Sequence, residues 1–126
     1  MHENELSKRI IGCAIEVHKE LGAGLIEPLY EEAFCHELSL AGLPFKRQQQ
    51  IPIHYKGIVL SHPLRLDLIV EEQIIVDNKA KREVTDLDKA QLLSYLRLRK
   101  LRLGLLINCH VPRLVDGIHR VINGFE

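Results

Sequence analysis

The chain has 126 residues, 46% hydrophobic and 27% charged, which is an ordinary globular composition with enough apolar material for one core. Lys and Arg balance Asp and Glu at 17 each, so the formal net charge is zero. That argues against a dedicated high-affinity nucleic-acid binder, but not against an enzyme whose acidic ligands subtract from a local basic patch. No apolar run approaches the roughly 20 residues that cross a bilayer. The opening Met1-His2-Glu3-Asn4-Glu5 is acidic and polar, unlike a secretory leader, so no membrane partner and a cytoplasmic location are expected. Cys13, Cys35 and Cys109 are odd in number and lack CxxC spacing, as reduced core thiols would be. The adjacent pairs Cys35-His36 and Cys109-His110 hint at zinc, but sequence neighbours seldom point at one ion.

No repeat, linker or low-complexity tract interrupts residues 1–126, which are read as a single domain. Leu6, Ile10, Cys13, Ala14, Val17 and Leu21 form one helical stripe, ended by Gly22 and Gly24. A second helix begins near Pro28, buries Leu29, Ala33, Phe34, Leu38 and Ala41, and stops at Gly42. From Phe45 to Tyr55 the period is two, as in a strand, and Lys56-Gly57 reads as a turn into a short strand Ile58–Leu60. Leu64–Val70 and Ile74–Ala80 form a hairpin across Glu71-Glu72-Gln73. Thr85-Asp86-Leu87-Asp88 is a capping box opening a third helix to about Lys100, with Leu87, Leu92, Leu93 and Leu96 on its apolar side. Leu103–Cys109 is a buried strand, and Val111–Glu126 adds a last short strand or turn. The order α-α-β-β-β-β-α-β predicts an α/β fold, a mixed sheet of about five strands flanked by helices.

Three polar residues interrupt apolar strands: Asp67, Asp77 and Lys79. Asp77 and Lys79 are two apart and share a face, and Asp67 approaches them if its strand pairs with theirs. Adjacent buried carboxylates repel unless something positive lies between them. Mg²⁺ or Mn²⁺ suits such hard oxygens. Read separately, each residue is equally well a sheet-end charge facing water, or Asp77 and Lys79 an ion pair. Gln91 and Tyr95 are four apart and share a helix face with Asp88 one turn earlier, which is also how a solvated face reads.

Asp67, then Asp77-Asn78-Lys79, then Gln91-Leu92-Leu93-Ser94-Tyr95 resembles the D…(D/E)xK…QxxxY series of RecB-like nucleases in the PD-(D/E)XK superfamily. Gly24-Leu25-Ile26-Glu27-Pro28-Leu29-Tyr30 resembles the GxxExxY signature of a family of small proteins assigned to that superfamily. The likeness runs over roughly residues 5–122. It extends through Ile15–Gly22 before the signature and Gly104–Asn108 after the third helix. The resemblance implies a restriction-endonuclease-like core in which Asp67 and Asp77 bind the metal, Mg²⁺ or Mn²⁺. It further implies that the carbonyl of Asn78 adds a ligand, and that Glu27 completes the metal shell directly or through water. Lys79 would then orient or activate the attacking water and offset phosphate charge. Gln91 and Tyr95 would position substrate, while Tyr30 packs or braces Glu27. Two positions depart from the family pattern. Asp77 stands where Glu is usual, and Asn78 where the residue is usually apolar, yet both carboxylates and the lysine remain.

His18 is expected to be a packed histidine rather than a cleft group. Lys46, Arg47, Lys56, Arg65 and the run Arg97, Arg99, Lys100, Arg102 are surface charges able to meet phosphates, although the run also suits a helix C-terminus. The leading reading is a metal-dependent nuclease acting on DNA before RNA. Its rivals are a non-catalytic binding or assembly module, and an enzyme acting on a phosphorylated small molecule. Two nearly all-apolar strands under few helices also point to a homodimer.

Overall fold

A computed structural model describes residues 1–124; Phe125 and Glu126, the end of the expected tail, lie outside the described residues. Helices α1 (Glu3–Leu21) and α2 (Glu27–Leu40) come first, and strand β1 (Phe45–Ile51) follows. A small hairpin of β2 (His54–Tyr55) and β3 (Ile58–Val59) precedes β4 (Leu64–Val70) and β5 (Ile74–Lys79). Helix α3 (Asp86–Arg99), β6 (Leu103–Asn108), a 3₁₀ turn at Leu114–Gly117 and β7 (Ile118–Ile122) complete the chain. The main sheet has the order β1-β4-β5-β6-β7. Only β5 and β6 run parallel, and α3 makes the crossover between them. The α/β class and the mixed five-stranded sheet of a restriction-endonuclease-like core are therefore as expected.

The helices sort by face. Leu6, Ile10, Ala14 and Val17 of α1 and Tyr30, Phe34 and Leu38 of α2 pack on Leu68, Val70, Ile74, Val76, Leu105 and Ile107. Helix α3 places Leu92 and Leu96 on the opposite face, against Leu66, Ile75, Leu106 and Val121. Gly104 makes room for that contact, because a Cβ there would stand 2.9 Å from the Cγ of Leu92. Each buried leucine contributes about 1.5–3 kcal/mol relative to exposure.

Several expectations need correction. Leu87 is 79% exposed and joins no core. It is the second residue of α3, and the capping box sets the helix entry so that its side chain faces water. Leu21, the last residue of α1, and Leu29, in the first turn of α2, are also exposed and join neither cluster. Pro52 splits the long alternating segment, since proline cannot donate to a ladder. The residues beyond it form the separate β2–β3 hairpin, and β7 takes the fifth place in the main sheet. The left-handed residues Gly22 (φ 78°) and Gly42 (φ 73°) do end the first two helices.

The last strand is fixed by a close approach. A Cβ on Gly117 would run into the carbonyl oxygen of Asn108, a backbone atom at the end of β6. Gly117→Ala should therefore cost at least the 1–3 kcal/mol typical of overpacking. Gly104→Ala should cost less, because the leucine it meets can turn away. Urea unfolding of the two variants measures this; equal, small losses would contradict the placement of β7.

Candidate active site

Strands β4 and β5 pair regularly from Val70↔Ile74 to Leu68↔Val76 and then part. The next position on each strand carries a carboxylate, Asp67 and Asp77. Strand β4 also turns over here. Leu68 and Val70 join the cluster under α1 and α2, whereas Leu64 and Leu66, of the same parity, join the cluster under α3. Strict alternation would keep all four on one face, so the changeover lies at Asp67. The β1 register places Gln48 opposite Asp67, and Gln48 has φ 49°, a left-handed value in mid-strand. Its side chain donates to Glu31 at 3.0 Å, and Arg47 pairs with the same carboxylate at 3.1 Å.

Asp67 and Asp77 come close enough for their carboxyls to share a proton. Burial, then that hydrogen bond and the charge of Asp67, push Asp77 well above the usual carboxylate range. The Lys79 ammonium lies 3.5 Å from Asp77. Burial alone would lower the lysine, but Asp77, Glu27, Asp67 and Asp88 more than offset it and hold it above its ordinary value. Glu27, half-buried at the start of α2, is also raised, first by burial and then by Asp67, while Lys79 opposes the shift. The four groups therefore converge electrostatically, with Glu27 on the rim. The Tyr95 phenol, packed against the α3-side apolar cluster, is raised by burial and then by the charges of Asp77 and Asp67. Gln91, one turn earlier, is exposed to solvent.

Asn78 divides its groups between two sides. Its side chain shares the α1/α2 face with Ile74 and Val76, and the amide nitrogen is buried with no hydrogen-bond partner. The carbonyl of Lys79 accepts from Cys109 N–H on the β6 side. By alternation the carbonyl of Asn78 points to the β4 side, where strand pairing has ended. Among the described residues no three His, Cys, Asp or Glu side chains are gathered around one point as a ready-made cage.

The surroundings fix these groups from distant parts of the chain. The Tyr30 hydroxyl donates to the carbonyl of Gly22 at 2.6 Å and accepts from Leu25 N–H at 2.9 Å, locking the loop that delivers Glu27. His110 Nε2 reaches the carbonyl of Leu25 at 2.7 Å, and its ring lies edge-on to Tyr30. Asn108 accepts from Lys81 N–H and donates to the carbonyl of Lys81, clamping the chain as it leaves Lys79. Lys81 in turn holds Asp88 at 2.8 Å, which with the Thr85 backbone N–H brings that carboxyl down to about 2. Glu31, Asn108 and Lys81 were not singled out from the sequence. A signal existed for two: Glu31 stands four residues after Glu27, and Asn108 ends an apolar strand.

Other features fall outside the cluster. His18 bonds the carbonyl of Val111 at 2.9 Å, a packed histidine as expected. Burial pushes the Cys35 and Cys109 thiols up to about 11, which keeps them inert. The hollow lined by Arg97, Lys100 and Arg102 lies at the far end of the sheet, because Arg102 precedes Leu103, the partner of Ile74.

The model of the PD-(D/E)XK nuclease superfamily matches residues 4–121. No curated protein and no solved structure gives a match.

Two measurements follow. Asn78→Val removes the orphaned amide and restores an apolar side chain without touching the carbonyl, so it should stabilise by up to about 1–3 kcal/mol. A lower melting temperature would show that the amide has a partner in solution. The second concerns pH. An unfolded aspartate ionises near pH 3.9, whereas folded Asp77 keeps its proton to higher pH. Across that window the folded state binds more protons, so without metal its stability falls as pH rises. Asp77→Asn should flatten the slope of urea midpoint against pH in EDTA; parallel slopes would contradict the shared-proton geometry.

Proposed function

Because this chain belongs to the PD-(D/E)XK nuclease superfamily, we propose that it is a metal-dependent phosphodiesterase cutting nucleic acid, DNA in preference to RNA. Within the superfamily we assign it to the GxxExxY family of the RecB-like branch. The observation that carries the reading is the convergence of Asp67, Asp77 and Lys79 where β4 and β5 part.

The donor chemistry fits Mg²⁺ or Mn²⁺. Two carboxylates able to share a proton are two able to share a cation, and Mg²⁺ needs only one or two of them beside water and phosphate. The lack of a three-residue cage among the described residues is therefore compatible with the assignment. Asp67 and Asp77 would hold the ion, with the Asn78 carbonyl and Glu27 completing its surroundings. When bound, the ion would supply Lewis-acid polarisation of the phosphate and a more acidic water. Lys79, kept protonated by its neighbours, stabilises negative charge growing on the phosphate and orients the attacking water through a donated hydrogen bond. Tyr95, with Gln91 at the solvent edge, positions the substrate.

We place the protein in the cytoplasm, where its three buried, unpaired thiols would stay reduced. No helix of the described residues is long and apolar enough to cross a membrane. Exposed Leu87 and Leu98, three turns apart on α3, supply an apolar strip for the proposed homodimer. A non-catalytic module is the second reading, favoured by the closed Asp77–Lys79 ion pair.

Thermal melting under Mg²⁺ or Mn²⁺ titration, run beside a hydrolysis assay, separates the two readings. Wild type should gain stability by mass action. Asp77→Asn should lose most of that gain. Lys79→Ala should keep the gain, since an ammonium is not a ligand, while turnover falls on the order of 10²–10³-fold. A wild-type protein that neither shifts with metal nor cuts would leave the non-catalytic reading.

A further inference from the structure

Residues 38–66 contain Lys46, Arg47, Lys56 and Arg65 and neither Asp nor Glu. In a chain of zero net charge this stretch stands at +4 and the remainder at −4, counting His as neutral. Two of the cations are paired, Lys46 with Glu72 and Arg47 with Glu31. Among the described residues Lys56 and Arg65 have no carboxylate partner, and both are exposed. Lys56 sits at the tip of the β2–β3 hairpin with its ammonium 5.4 Å from the centre of the Tyr55 ring.

This hairpin belongs to no larger sheet. Tyr55 stands opposite Ile58, and His54 opposite Val59, so each face carries one ring and one branched apolar side chain. Tyr55, Ile58 and Val59 remain 55%, 59% and 56% exposed. Side chains more than half exposed bury little apolar area in folding, and apolar groups held out on both faces mark a contact surface. Its root is beside the cluster. Ile51↔Leu64 is the outermost pair of β1 and β4, and Asp67 follows Leu64 by three residues, about 10 Å along a strand.

We propose that the β2–β3 hairpin seats single-stranded nucleic acid, with Tyr55 stacked on an unpaired base and Lys56 and Arg65 on the flanking phosphates. The proposal rests on the nuclease reading for the polymer that the neighbouring cluster acts on. Charge complementarity selects a polyanion. The exposed ring and branched side chains select a single strand, because unpaired bases offer apolar faces that a duplex hides in its stack. A second copy docking hairpin to hairpin would set Lys56 and Arg65 against their own like charges in an acid-free segment.

The test is fluorescence anisotropy in EDTA, where nothing is cut, using labelled oligonucleotides of about 12 nucleotides as single-stranded DNA, single-stranded RNA and duplex DNA. Either single strand should bind more tightly than the duplex. Tyr55→Ala should weaken single-strand binding roughly 5- to 150-fold, whereas Tyr55→Phe should retain it. Lys56→Ala and Arg65→Ala should each lower the slope of log affinity against log salt by about 0.7. All these side chains are exposed, so melting temperatures should not move. Duplex preference, a Tyr55→Ala protein that binds like wild type, or a loss that appears only as dissociation of a dimer in sedimentation would overturn the proposal. Tyr55-dependent binding in EDTA without hydrolysis in Mg²⁺ would support the hairpin assignment and end the nuclease reading. Hydrolysis that persists with Tyr55 indifferent would do the reverse.

Discussion

The mutual repulsion of Asp67 and Asp77 is the constraint around which the rest of the site is arranged. Two carboxylates on adjacent central strands can be tolerated only with a shared proton, a nearby ammonium or a bound cation. The protein supplies the first two itself: the carboxyls approach within proton-sharing range, and Lys79 stands 3.5 Å from Asp77. The cost of bringing these charges out of water is met elsewhere, by the apolar clusters on both faces of the sheet. Strand β4 leaves β5 at the one step where continued pairing would bury both carboxylates in the ladder. The same departure leaves the Asn78 carbonyl outside the ladder, so the electrostatic conflict and the free backbone acceptor beside it have one structural origin.

The positions of the charged groups depend on uncharged ones. Glu27 is set by a loop, and that loop is tied by the Tyr30 hydroxyl at Gly22 and Leu25. The GxxExxY spacing thus has a mechanical reading: the glycine segment bends, the glutamate projects, and the tyrosine three residues on closes the bend. His110 holds the same loop from beyond β6, so the two ends of the core meet there. Asn108 performs a similar service for the chain leaving Lys79. Under the proposed nuclease reading, freezing these backbones before substrate arrives would spare the reaction an ordering step.

Much of this was legible in the sequence because it is local. Helix stops at Gly22 and Gly42, the capping box at Thr85 and the period-two strands at Leu64 and Ile74 depend on neighbours in the chain. Asp67, Asp77 and Lys79 stood out because charge inside apolar strands needs a reason. The illegible features are those decided by packing angle or distant partners. Periodicity cannot say that Leu87 and Leu29, in the first turns of their helices, stay exposed and join neither cluster. Nor could it decide between strand and turn for the tail, or place β7 at the sheet edge, where Gly117 closes against Asn108. Glu31 reads as one more acid on a helix until Arg47 and Gln48 are seen to fold over it.

The left-handed residue in mid-β1 has one more effect. Strand β1 lies at the sheet's edge, with a row of backbone donors and acceptors facing outward. A flat edge of that kind is a template on which another molecule can add a strand, the first step toward aggregation. Gln48, at φ 49°, breaks the row in its centre, and the charged side chains of Lys46 and Arg47 beside it are tied to Glu72 and Glu31. The distortion opposite Asp67 therefore also protects solubility, and a variant that straightened β1 would expose an edge open to propagation.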